Sequence, residues 1–270
     1  RGLGDVYKRQ PFVTPEITLK VAARLRETII KNYHRDIREL RRKLTFSGVE
    51  QRIIKLETEL YNSITHQKSS LTLDSFTQEL KEIKQLIIDQ HQSLYVSQIN
   101  SLLNKVHLFG FHFANLDIRQ DSRKHAQFFN TLVTALIESG STIFPENYFD
   151  LQEDQQIQVL SKVQGKVDLS LIKDEETLKA LHTMKAIKTI QSTNGQAAAN
   201  RYIISNNQST LHVMQLFAML KIVAFDDALT VDIGPLFETI TDLENAPKVM
   251  EELYTNPYYC LLYTSPSPRD

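Results

Sequence analysis

The chain has 270 residues, 41% of them hydrophobic and 23% charged, which supplies enough apolar surface for a core and rules out wholesale disorder. Its 31 Lys and Arg nearly cancel its 32 Asp and Glu, leaving a net charge of −1, so no global field draws it to nucleic acid or to an anionic membrane. One cysteine, Cys260, excludes an intrachain disulfide and a cysteine-built zinc site. No apolar run reaches the roughly 20 residues of a membrane span, and no secretory leader is read at the N-terminus. A cytoplasmic protein without nucleic-acid or membrane partners is expected. Eight Gly and eight Pro suit a mostly helical fold.

Residues 1–10 (RGLGDVYKRQ) and 261–270 (LLYTSPSPRD) do not continue the patterns beside them. Both look like translated adapter sequence and are set aside as non-native tails, with ordinary frayed termini as the alternative. From Thr14 the chain reads as a helix, with Thr14 as cap, Pro15 at the first helical position and Glu16 at the positive end of the dipole. Val21, Leu25, Ile29, Tyr33, Ile37, Leu40 and Leu44 recur at three- and four-residue steps and mark its buried stripe. The basic residues Arg35, Arg38, Arg41, Arg42 and Lys43 alternate with Asp36 and Glu39, as on a solvated helix face. Ser47 and Gly48 break the pattern, and Val49, Ile53, Leu56, Leu60 and Ile64 mark a second helix. Phe76, Leu80, Ile83, Leu86 and Ile87 mark a third, and Leu94, Ile99, Leu102, Leu103 and Val106 a fourth. Residues 11–107 are thus expected to form a helical region.

At Leu108 the character changes. The run LFGFHFANLDIRQD reads as a short buried strand ending in a polar loop. A helix over 124–139 follows, then an irregular stretch over 140–175, then a helix carrying Leu178, Leu181, Met184, Ile187 and Ile190 that stops at Asn194-Gly195. Residues 201–205 (RYIIS) read as a second buried strand, and Ser209 caps a helix over 211–225. Residues 229–239 read as a third strand with charge at its C-terminal end, and a helix over 242–254 closes the chain. The strand–helix alternation predicts parallel strands with right-handed crossovers. Three strands do not close a barrel. The fold class expected is therefore mostly α with a parallel α/β part: an incomplete (α/β)8 TIM-type barrel over 108–260, with three strands, beside the N-terminal helical layer. A small open α/β sheet is the alternative.

Two stretches place polar groups at strand C-terminal ends, where barrel enzymes assemble their sites. In 117–122 (DIRQDS), Arg119 leaves a buried strand and would find its best partner in a bidentate oxyanion such as phosphate or carboxylate. An internal salt bridge to Asp117 or Asp121 remains equally open. In 235–239 (PLFET), Glu238 follows a mostly apolar strand and could be a hard oxygen ligand for Mg²⁺ or Mn²⁺, or could cap the next helix. His107, His112, His125, His182 and His212 lack metal-ligand spacing and read as satisfied structural or surface histidines. Cys260 has no neighbouring base to make it a nucleophile.

Phe109-Gly110-Phe111 through Leu116-Asp117-Ile118-Arg119-Gln120-Asp121-Ser122 and His125, the strand Tyr202-Ile203-Ile204-Ser205, and Pro235-Leu236-Phe237-Glu238-Thr239 with Asp242-Leu243 together resemble the phosphoenolpyruvate carboxylases of bacterial type. Pro11-Phe12-Val13-Thr14 resembles the run that follows a family motif absent here, and Asn206-Asn207-Gln208 and Phe217-Ala218-Met219-Leu220 are nearest the family's Bacteroidetes-like branch. The resemblance implies an internal fragment of a large, mostly helical (α/β)8-barrel lyase, a homotetramer that carboxylates phosphoenolpyruvate with bicarbonate to oxaloacetate and phosphate, feeding the tricarboxylic acid cycle. It implies Arg119 as a substrate-binding residue for the oxyanion and Glu238 as one ligand of Mg²⁺ or Mn²⁺.

The departures are as specific. The family's catalytic histidine motif belongs upstream of residue 11, and its second metal carboxylate and glycine-rich loop belong beyond residue 260. No catalytic residue is therefore expected within this chain, and the fragment itself is predicted to be inactive. A non-catalytic helical scaffold or interaction module, or another barrel enzyme using phosphoenolpyruvate or an enolate, are the competing readings.

Overall fold

The computed structural model describes residues 13–65, 70–225 and 228–264, the last four by backbone alone. The tail read at 1–10 lies outside the described residues, as do 265–270 of the tail read at 261–270. Two compact units appear, one of residues 20–115 with 190–198, the other of residues 13–19, 116–189 and 199–264.

The first unit is helical. Its helices α1 (Pro15–Arg41, entering from the second unit), α2 (Glu50–Ile64), α3 (Leu73–Gln90) and α4 (Val96–Phe109) follow the expected apolar periods closely. The core runs from Ile29, Tyr33 and Ile37 through Ile53, Leu60, Phe76, Leu80 and Ile83 to Ile99, Val106 and Phe111. Val21, placed on the buried stripe by its spacing, is exposed, and its neighbours Thr18 and Ala22 are buried instead. Thr72 and Ser75 cap α3 reciprocally. Arg52 on α2 bridges Glu79, at 2.6 Å, and Glu82 on α3.

The buried strand expected from Leu108 is absent. The boundary read at 107/108 falls inside the last turn of α4, which ends at Gly110. Gly110 adopts φ +46°, and a Cβ there would stand 2.8 Å from His112 Nδ1, so the turn demands glycine. The Tyr33 hydroxyl donates to the Gly110 carbonyl at 2.8 Å, which ties that turn to α1, and burial pushes the Tyr33 phenol up.

The second unit carries a three-stranded parallel sheet, β1 (Asp117–Asp121), β2 (Arg201–Ser205) and β3 (Asp232–Pro235), in that order. Around it lie α5 (Ser122–Glu138), α6 (Glu153–Lys162), α7 (Glu175–Asn194), α8 (Thr210–Val223), α9 (Ile240–Thr255) and α10 (Pro257–Thr264). Parallel strands laid down in chain order with right-handed crossovers put their helices on one side. Accordingly Tyr202, Ile204 and Ile233 face a covered side, and His125 of α5 packs on the Tyr202 ring at 5.3 Å between centroids. The other face carries Asp117, Arg119, Arg201, Asp232 and Gly234, all exposed.

Helix α8 is apolar on every side and is the buried centre of this unit, packing against α5, α6 and α9. Residues 140–175, expected to be irregular, contain α6 and two short 3₁₀ turns, Tyr148–Asp150 and Leu169–Leu171. Helix α6 escapes notice because its apolar residues are few and their burial depends on α8. The ten-residue helix Glu153–Lys162 is instead anchored through Leu160 and Ser161. Helix α10, also unexpected, sends the Tyr259 hydroxyl to the Ile233 carbonyl of β3 at 3.0 Å. The fold is thus mostly helical with a small parallel sheet.

Candidate functional site

The segment DIRQD is strand β1 itself, where the sequence suggested a loop beyond a strand. Arg119 is its third residue and shares a register row with Ile203 and Gly234. Side chains alternate along a strand, so Arg119 stands on the bare face, with its side chain 55% exposed. The expectation that it leaves a buried strand is therefore corrected: among the described residues no helix covers this side, and desolvation does not dictate its partner.

Glu238 lies three residues beyond β3, on a loop held by backbone hydrogen bonds that prolong the ladder. The Leu236 N–H donates to the Ile204 carbonyl at 2.8 Å, and the Asn207 N–H to the Leu236 carbonyl at 3.0 Å. The capping role open to Glu238 is taken by its neighbour. Thr239 is the N-cap of α9: its hydroxyl accepts from the Asp242 N–H at 3.1 Å, while the Asp242 carboxylate accepts from the Thr239 N–H at 3.0 Å. The Thr239 hydrogen bond holds the Asp242 carboxyl below the usual carboxylate range.

The two residues singled out by the sequence meet. Arg119 Nη2 donates to Glu238 Oε1 at 2.9 Å. Neither salt bridge open to Arg119 on its own strand forms, since Asp117 pairs with Arg201 across β1 and β2 at 3.0 Å. Asp121 caps α5 and takes the Arg123 Nε and Nη2 groups at 2.9 and 2.8 Å. That hydrogen bonding lowers the Asp121 carboxyl and raises the Arg123 guanidinium.

The histidines divide. His107 and His182 are exposed. His125, fully buried, has neither ring nitrogen partnered, which corrects its reading as a satisfied histidine. Burial pushes its pKa down to about 3, with Asp121 opposing and His212 adding to the shift. Burial also lowers His112 and His212. The motif spacing that placed His125 three residues after Ser122 carries no signal that its ring would be sealed against Tyr202. Ser122, equally buried, donates from its hydroxyl to the Asn206 carbonyl at 2.5 Å, joining the start of α5 to the loop after β2.

As a metal position, Glu238 offers one hard carboxylate oxygen. Among the described residues no group of three His, Cys, Asp or Glu side chains converges, and Mg²⁺ demands near-octahedral oxygen coordination. The described residues therefore do not make a metal centre by themselves. Nor, among them, is any helix long and apolar enough to cross a membrane.

Comparison with known proteins places these residues in context. The family model for phosphoenolpyruvate carboxylase matches residues 54–266, a span that holds both Arg119 and Glu238. The phosphoenolpyruvate carboxylase of a Synechococcus species is 31% identical over 196 residues, covering 70% of this chain and 18% of that protein. That of Prochlorococcus marinus subsp. pastoris is 26% identical over 327 residues, covering 95% of this chain and 32% of that protein. That of Parasynechococcus marenigrum is 28% identical over 195 residues, covering 69% and 18%. The chain thus spans from under a fifth to about a third of the length of these curated relatives. With the family model covering well over half of its residues, the chain belongs to the phosphoenolpyruvate carboxylase family.

Proposed function

We propose that this chain is part of an enzyme that carboxylates phosphoenolpyruvate with bicarbonate, giving oxaloacetate and inorganic phosphate. The observation that carries the reading is the meeting of Arg119 and Glu238 on the bare side of a parallel sheet, inside the span matched by the family. A fixed guanidinium suits an oxyanion, since its planar fork matches phosphate and carboxylate. In this role Arg119 binds and orients the phosphoryl or carboxyphosphate oxygens, and its permanent charge stabilises negative charge there without moving a proton. Gln120 and Ile204 on the covered side and the β1–β2 ladder hold the strand that aims it.

Glu238 is proposed to give one oxygen to a divalent cation, Mg²⁺ or Mn²⁺, in the whole enzyme, with the remaining ligands outside this chain. The bare sheet face is proposed to become the inside of an (α/β)8 barrel once further strands join β1 and β3, in a cytoplasmic homotetramer. Support comes from the exposed Asp117, Arg119, Arg201, Asp232 and Gly234 on that face, with the partly buried Ile203 between Arg119 and Gly234.

The test is made in the whole enzyme. Arg119→Met should abolish bicarbonate-dependent oxaloacetate formation while leaving the thermal transition within a few degrees, because the side chain is half exposed. Retained turnover in that variant would overturn the reading of Arg119.

A further inference from the structure

Two carboxylates share the strand and the face of Arg119: Asp117 before it and Asp121 after it. Side chains two apart on a strand start about 6.6 Å from each other, a gap that a long arginine side chain spans, so either carboxylate could close on the guanidinium. A guanidinium closed on its neighbour is neutralised and gives up donors that recognition of an oxyanion needs. Neither contact forms, because another arginine engages each carboxylate. Asp117 meets Arg201, its register partner on β2, at 3.0 Å. Paired strands lie only about 4.8 Å apart, so Arg201 starts nearer to Asp117 than Arg119 does. Asp121 takes the Nε and Nη2 groups of Arg123 and also accepts from the Arg123 backbone N–H at 2.9 Å. Asp232, the other register neighbour of Arg201, stands two strands away from β1 and does not compete for Arg119. Arg119 therefore keeps donors for a ligand beside its single bond to Glu238.

We infer that Arg201 is a positioning residue for Arg119: by binding Asp117 across the β1–β2 ladder it keeps that carboxylate off the guanidinium and leaves Arg119 available to a phosphate-like oxyanion. Arg123 does the same for Asp121 with less at stake, since a backbone N–H also holds that carboxylate. Without Arg201, Asp117 turns to Arg119, the cation next to it along β1. Arg201 acts through Asp117 and not by touching the anion. The inference rests on the reading of Arg119 as the oxyanion residue and adds the residue that keeps it open.

The experiment is a titration of the 270-residue chain with inorganic phosphate at constant ionic strength, following the side-chain Nε–Hε signal of Arg119 by NMR. Parent, Arg201→Gln, Asp117→Asn and the double variant are compared. Arg201→Gln should weaken phosphate binding about two- to fivefold, the range set by a half-exposed ion pair. Asp117→Asn identifies the cause. In the parent, where Asp117 is already engaged, it should change binding by less than about twofold, whereas in the Arg201→Gln background it should restore most of the lost affinity. A charge effect acting only through space would instead give Asp117→Asn the same factor in both backgrounds. Arg201→Ala and Asp117→Ala repeat the cycle if one of these variants fails to fold. Equal factors in the two backgrounds, or unchanged binding in Arg201→Gln, with the Arg119 signal still responding, overturns the role of Arg201 and leaves that of Arg119 standing. A silent Arg119 signal in parent and variants overturns both.

Discussion

Thr239 and Asp242 cap each other at the start of α9, and this reciprocal pair leaves the neighbouring Glu238 to reach Arg119. Two of the four unsatisfied N–H groups that every helix start exposes are engaged without Glu238, whose carboxylate extends instead across the bare side of the sheet. Thr239→Ala removes the cap acceptor and should cost about 1 kcal/mol, read as a lower urea midpoint at unchanged slope. The Asp242 N–H, left without its acceptor, is where the protection of α9 against hydrogen exchange should fall first.

Acid should weaken the chain through His125. Its folded pKa of about 3 lies below the ordinary value of 6.5, so between these limits the unfolded state holds a proton that the folded state does not. Stability therefore rises with pH across that window and is lost as pH falls from about 6.5, with a slope of up to about 1.4 kcal/mol per pH unit for one proton. His112 and His212 act in the same direction. Replacing the ring by His125→Phe should flatten the dependence between pH 7 and 5, measured by urea unfolding at each pH. An unchanged slope would show that His125 is not the group responsible.

At Gly110 the left-handed backbone and the nearby His112 ring leave no room for a side chain. Gly110→Ala should destabilise the helical unit by about 1–3 kcal/mol. The loss should exceed that of Tyr33→Phe, which removes one hydrogen bond to the same carbonyl and should cost about 1 kcal/mol. Thermal unfolding followed by circular dichroism at 222 nm orders the two variants.

The isolated chain should release no oxaloacetate from phosphoenolpyruvate and bicarbonate with Mg²⁺ or Mn²⁺ present, and should show no saturable Mn²⁺ site below millimolar concentration by electron paramagnetic resonance. One carboxylate already paired with an arginine is too little for such a cation. A coupled assay with malate dehydrogenase reads the first outcome, and detectable metal-dependent turnover would contradict it.

Much of this was legible in the residues. Helices α1 to α4 follow from the three- and four-residue spacing of Ile29, Tyr33, Ile37, Leu56, Leu60, Leu80 and Ile83, because amphipathic period is a local property. Strand β2 and the Ser209 cap of α8 were equally readable. Arg119 and Glu238 each stood out by side-chain chemistry beside a strand. Helix α6 did not, because its few apolar residues gain their meaning only from the flank of α8 that they meet. The run at 108–116 misled because Phe109, Phe111 and Phe113 alternate as in a strand, while Phe109 closes α4 and Phe113 takes φ +64° in the turn after it.

The sequence by itself determined the family resemblance, the helical layer, the parallel strand rhythm and the two residues worth watching, all of which depend on residue type and short-range spacing. Tertiary structure decided that Arg119, 119 residues away in the chain, takes Glu238 in preference to Asp117 or Asp121. The order β1-β2-β3 and its register bring the β3 loop over the Arg119 row. One-sided crossovers leave that row uncovered, so the ion pair forms in contact with water. Which charges meet is settled by strand order and by the face the helices leave bare, and neither is encoded in any local pattern of residues.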